Sequence, residues 1–302
     1  MLGDLLSALT LQGGYNTTVV TLGAAALGAA GGAVGTFAML RGRALVADAI
    51  SHATLPGVAL AFLIAHFAGY SGRSLIWLLT GAAASSAMAV LAINAIRRHT
   101  RLKEDTAIAS VLGVFFGLGV ALLSVVQGLP TAGQAGLDHF LLGSTAGVRL
   151  ADALMLAAAA VLTLLALALV FKELRVAAFD PVYAEAHGLN PARADAILMT
   201  LVLVAVVLGL RTVGLVLAVA LLVIPPAAAR FWSDRLASVV AASGLIGAGG
   251  AWIGASLSAG FDDLPAGATI VLVLFAAFLV SFLIGPARGI LPRLLRRAEA
   301  RT

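Results

Sequence analysis

Asp48 and His52 are the residues where chemistry first suggests itself. Both lie in GRALVADAISHATLPGVALAFLIAHF, residues 42–67, a run long and apolar enough to cross a membrane. In a helix over 44–67 the four-residue spacing stacks carboxylate and imidazole on one face. At about 1.5 Å of rise per residue, Asp48 lies roughly 7 Å and His52 roughly 13 Å beyond the Arg43 boundary. His52 thus falls near the middle of a hydrocarbon layer about 30 Å thick. A charge there costs at least ~2.5–3.5 kcal/mol on insertion scales, so the pair should face a cavity, a partner or an ion. Pro56 should kink the helix and deprive the His52 carbonyl of its N–H partner. Ser51 is adjacent, and Gly57 lets another helix approach. Carboxylate plus imidazole suits manganese, iron or zinc better than magnesium or calcium. Two other readings remain open on these residues alone: a structural Asp–His hydrogen bond at a helix interface, and a proton relay in an ion-gradient-driven secondary transporter.

The other candidates are fewer. His66 lies near the far end of the same run, and His99 sits in the basic loop RRHTRLKED, where solvation accounts for it. Asp138 and His139, in GLDHFLLGSTAGV, are candidates for lining an outer entrance. There is no H-E-x-x-H and no G-x-S-x-G. No G-x-x-x-x-G-K-[ST] occurs either, so active transport would draw its energy from a partner or an ion gradient. The chain lacks cysteine, which excludes disulfides, thiolate metal sites, iron–sulfur clusters and cysteine nucleophiles.

The elements that must position these residues are membrane spans. Of the 302 residues 61% are apolar and 11% charged, with mean hydropathy +1.07, against roughly 45–50% and about 25% in soluble domains. That composition predicts an all-α, polytopic membrane bundle. Nine candidate spans follow: 19–40, 44–67, 74–96, 106–127, 150–171, 194–210, 212–229, 236–258 and 267–286. A count of eight or ten fits nearly as well, because the sixth and seventh are short and separated only by LRTVG, as in a tight hairpin or a broken helix. Sixteen of the 19 Lys and Arg residues fall on one side, and only Arg73, Arg149 and Arg211 on the other. The positive-inside rule then places the N-terminus outside and the basic tail, residues 287–302, in the cytoplasm. The net charge of +5 therefore reflects orientation and anionic lipid rather than nucleic acid. The N-terminal stretch does not read as a removed signal peptide. Glycine-rich runs such as GAAALGAAGGAVG mark close helix packing. One permease-like domain over 1–302 is expected.

The most polar stretch between spans, FKELRVAAFDPVYAEAHGLNPARAD, predicts a short helix capped by Asp180 and opened by Pro181. Gly188 should end it, with Pro191 just beyond. Such a segment is either a solvated connector or a docking element for a cytoplasmic partner.

Three motifs, in order along residues 19–286, resemble the membrane permease subunits of bacterial ABC importers for zinc, manganese and ferrous iron: GRALVADAISHATLPGVALAF, AAFDPVYAEAHGLNP and RTVGLVLAVALLVIPPAAARFW, the last followed by FDDLPAGATIVLV. The resemblance implies a type II-like importer permease in the bacterial inner membrane that does not itself hydrolyse ATP. It implies a homodimer working with two cytoplasmic ATPase subunits and an extracytoplasmic metal-binding protein. Asp48 and His52 match positions expected to contact the passing metal, with no permanently bound cofactor. Asp180, Tyr183, Ala184 and Gly188 match the segment, residues 176–190, that couples to the ATPase. DAISHATLPG looks most like the manganese and iron branch, which puts manganese ahead of zinc or ferrous iron. The outer stretch SVVQGLPTAGQAGLDHFLLG is longer and richer in glycine than in the family, so no ligand is carried over from it. Metal binding needs a neutral imidazole, so uptake is expected to weaken on acidification.

Overall fold

Lipid offers no water to peptide groups, so each apolar run closes its hydrogen bonds within itself as a helix. The computed structural model describes residue 10 and residues 14–68, 75–129, 150–261 and 264–293, and among these there is no strand. The helices are α1 (Tyr15–Leu40), α2 (Ala44–Phe67), α3 (Leu75–His99), α4 (Glu104–Gln127) and α5 (Leu150–Leu169). Then come α6 (Phe171–Phe179), α7 (Pro181–Ala186), α8 (Pro191–Ala229), α9 (Leu236–Gly260) and α10 (Ala266–Ile284). Among the described residues seven segments are long and apolar enough to span unaided, and α5 with α6, bent by 61°, makes up to eight if the pair counts as one span.

The expected seventh span, 212–229, is too short to be a span in its own right. Its apolar helix is Leu217–Ala229, on the order of 20 Å long and short of the roughly 30 Å hydrocarbon layer. It is the returning limb of α8. Gly214, at φ 78° and ψ 172°, breaks the helical path there, a conformation that glycine adopts without a Cβ penalty. Asp195 on the first limb bonds Arg41 at the end of α1, and α9 begins beside α6 at that same end of the bundle. Because Ala229 leads directly into α9, the second limb must run back the way the first came.

Sequence neighbours α1 and α2 hardly touch. α1 packs against α9, α8 and α5, whereas α2 packs against α3 and α4, and α8 contacts both groups. Each group is drawn together by small residues. A Cβ on Gly28 would overlap the carbonyl of Gly247, and one on Gly57 the carbonyl of Gly81. Ser243 donates its hydroxyl to the Gly32 carbonyl at 2.6 Å, bonding α9 to α1 where they approach most closely. Without a hydrophobic force between helices in lipid, such contact is what holds them. The buried core follows the same division: Phe37, Ile50, Leu198 and Val202 at one level, Val58, Phe62 and Leu210 at the next. A third cluster, with Leu217, Leu221, Ile270 and Leu274, joins α8 to α9 and α10.

Candidate functional site

α2 is buried on most of its circumference, with Ala47, Ile50, Ala53, Val58 and Ala59 closed off by neighbours. One face is partly open: Asp48 and His52 are half-buried beside exposed Leu45, residues 53–59 are closed off, and Leu60 and Ile64 emerge again further along. Asp48 and His52 are brought together as the spacing predicts: His52 Nε2 lies 3.5 Å from Asp48 Oδ1, with side chains 31% and 40% exposed. The other imidazole nitrogen, Nδ1, is buried without a partner. Phe116 of α4 meets the ring edge-on at 5.0 Å. The carboxylate and imidazole therefore open outward from the chain rather than into its core.

The neighbours fix the rotation of α2 about its axis. Ser86 on α3 donates to the Ile50 carbonyl at 3.0 Å, and Trp77 Nε1 to the Ala61 carbonyl at 2.8 Å. Helix α2 runs continuously from Ala44 to Phe67 with Pro56 inside it. Gly119 of α4 sits against that proline, where a Cβ would come within 3.0 Å of the ring Cδ. Among the described residues no three His, Asp or Glu side chains converge on a metal position. Asp138 and His139 lie outside the described residues. His66 stacks on Phe62 at the far end of α2, and His99 is exposed at the end of α3.

The short helix expected from Asp180 to Gly188 forms, with one refinement, and α6 precedes it as a helix the sequence did not announce. Asp180 accepts a hydrogen bond from Tyr183 N at 2.8 Å and Pro181 opens α7. Gly188, at φ 76°, ends the helix; its N–H reaches the Glu185 carbonyl (3.0 Å) and Leu189 N–H the Ala184 carbonyl (2.9 Å), a Schellman motif. Pro191 does more than stop α7: it is the first residue of α8, capped by the Asn190 side chain. Ala184 is buried, while Val182 and Tyr183 are exposed and His187 stacks on the Tyr183 ring at 3.9 Å. Beside them a groove of about 530 Å³ is lined by Arg175, Phe179, Asp180, Tyr183, Arg235 and Leu236.

An ion cluster at this end of the bundle escaped the sequence reading. Asp195 on α8 accepts from Arg41 Nε at 2.8 Å and from Arg43 Nη2 at 2.9 Å, each arginine on its own carboxylate oxygen. Arg41 also donates to the Ala177 carbonyl of α6 at 2.7 Å. Arg43 reaches Glu104 at the start of α4 (3.3 Å), which Arg97 of α3 also meets at 3.3 Å. The Arg43 side chain is only 4% exposed. Burial pulls its guanidinium below the ordinary arginine value, and the Asp195 carboxylate opposes that shift. Sequence offered one signal, a lone carboxylate a turn inside a helix that follows a polar stretch. Its partners lie more than 150 positions away, beyond the reach of local pattern.

Comparison with known proteins gives a consistent result. Residues 15–285 match the ABC 3 transport family. The chain is similar to the zinc transport system membrane protein TroC of Treponema pallidum, 40% identical over 94% of the chain and 93% of that protein. It is similar to the manganese transport system membrane protein MntC of Bacillus subtilis, 36% identical over 95% of the chain and 65% of that protein. Among solved structures it resembles PsaBC from Streptococcus pneumoniae in complex with Fab, with TM-score 0.81 and 31% identity, covering 99% of the chain and 100% of the matched one.

Proposed function

The chain belongs to the ABC 3 transport family, and from that premise we infer that it is the permease subunit of an ATP-driven importer carrying a divalent transition metal into the cytoplasm. Manganese is the first choice, because DAISHATLPG resembles the manganese and iron branch, and zinc the second; relatives named for each metal match nearly the whole chain, and ferrous iron fits the same donors.

The observation that carries the site is the partly open face of α2. A carboxylate and an imidazole turned out of the chain within a membrane span cannot face lipid without a large cost. A second copy related by a two-fold axis would cover that face and bring its own Asp48 and His52 opposite the first. Two carboxylates and two imidazoles then line one path, where the described residues of one chain bring no three donors together. Asp48 neutralises ion charge, and His52 supplies a borderline-soft nitrogen. Nε2, on the side of the ring that faces Asp48, is the nitrogen offered to the pathway.

The sequence has no P-loop, so the energy comes from a cytoplasmic ATPase pair that engages the exposed face of α7 and the groove beside it. An extracytoplasmic binding protein delivers the metal to the far end. The basic end, with Arg41, Arg43, Arg97, Arg175 and Arg235, faces the cytoplasm and the N-terminus lies outside. The whole chain, 1–302, acts as one permease domain.

The test is uptake of manganese, zinc and ferrous iron into vesicles carrying the whole complex, comparing wild type with His52→Ala and Asp48→Ala. Loss of uptake with assembly intact supports the site. Undiminished uptake returns the pair to a packing role, and uptake driven by a proton gradient without ATP replaces the importer with a secondary transporter.

A further inference from the structure

We propose that Asp195, gripped by Arg41 and Arg43, is a positioning residue that transmits movement of the coupling segment to α2 and thereby to the metal path. The inference rests on the reading above, in which α6 and α7 face the ATPase and Asp48 and His52 face the metal.

The argument begins with what joins the two groups of helices. Helices α1 and α2 hardly pack on each other, and the turn between them is only three residues long, with Gly42 at φ 69°. A push on α6 reaches α2 through polar contacts in series. The Ala177 carbonyl of α6 holds Arg41 at 2.7 Å, and Arg41 holds one oxygen of Asp195. The other oxygen holds Arg43 at 2.9 Å. Arg43 is the residue from which α2 starts, so moving its side chain moves the end of the helix that carries Asp48 one turn further on.

Three features suit this chain of contacts to transmission. The bonds are charge-assisted and mostly enclosed, with Asp195 14% and Arg43 4% exposed, so salt screens them weakly. Asp195 stands on a helix start fixed by the Asn190 cap and Pro191, directly after the closed turn that ends α7. The second arm of Arg43 reaches Glu104 on α4, the helix whose Phe116 abuts His52. One cluster therefore grips both elements that shape the pair.

The alternative is a staple that holds six helix ends together and transmits nothing. The two are separated by metal transported per ATP hydrolysed, a ratio a staple does not alter in complexes that assemble. The experiment uses the full importer in vesicles with Asp195→Asn, which keeps the shape and removes the charge. Fewer complexes should assemble, since Arg41 and Arg43 lose their shared carboxylate, but in those that do, ATP hydrolysis and metal held without nucleotide should stay near wild type. Metal moved per ATP should fall about tenfold, within the 5–150-fold range of ordinary coupling energies. Arg41→Lys, which keeps the charge but cannot bridge Asp195 and Ala177 together, should lower the ratio less.

An unchanged ratio in Asp195→Asn overturns the proposal, as does a loss of uptake that merely follows lost assembly or lost hydrolysis in both variants. If Asp195→Asn fails to assemble, Arg41→Lys decides alone, and a wild-type ratio there overturns it. Failure of the underlying reading looks different: Asp48→Ala and His52→Ala would then transport normally, whatever Asp195 does.

Discussion

Two groups of charges share this bundle, about a helical turn apart along α2, and they are treated in opposite ways. At the basic end Arg41, Arg43, Arg97, Asp195 and Glu104 satisfy one another, and every contact joins separate helices. Further along, Asp48 and His52 meet each other only at 3.5 Å, on one helix, with an imidazole nitrogen left unpartnered. The first arrangement ties helix ends to one another, which is what lets it pass a movement on. The second leaves a carboxylate and an imidazole with little to bind inside the chain, as the proposed metal path requires. In lipid, the completeness of a polar group's partners distinguishes a grip between helices from a site that awaits an ion.

The contrast predicts opposite outcomes for stability and transport. Arg43→Ala removes one partner from a buried cluster and should cost about 3–5 kcal/mol, read as loss of folded protein in detergent melts. Retention of wild-type stability would mean the cluster is not holding the helix ends. Gly28→Leu sets a side chain against the Gly247 carbonyl and should cost about 1–3 kcal/mol through overpacking, measured the same way. Asp180→Ala removes the cap of α7, worth about 1 kcal/mol locally, and should weaken ATPase association in a pull-down more than it lowers the melting temperature. His52→Ala should change stability least, within about 1 kcal/mol, since it discards an unpaired buried nitrogen along with some packing. Its uptake, in contrast, should collapse. A large destabilisation by His52→Ala would erase the distinction between the two groups.

Much of this was legible in the chain itself. Apolar length placed α1 to α5, α9 and α10 within a few residues, because lipid turns hydrophobic runs into helices with little choice. The Asp180–Pro181–Gly188 grammar gave α7 and both its ends, since caps are local chemistry. The Asp48–His52 pair was visible from spacing alone. Less legible were features that depend on distant contact. The 194–229 region reads as two short spans or as a tight hairpin; Gly214 makes the hairpin, and only contact with the rest of the bundle shows that its second limb is too short to cross. Arg41 and Arg43 read as orientation signals, and only the fold shows them sharing Asp195 from across the sequence. Gly57 advertised a close approach without naming Gly81 as its partner.

Because α2 is unbroken through Pro56, Asp48 and His52 share a single phase: successive residues stand about 100° apart, and both donors turn with the same rod. On the proposed reading, a turn of α2 about its axis carries carboxylate and imidazole the same way, so an ion held by both would lose them together rather than one at a time.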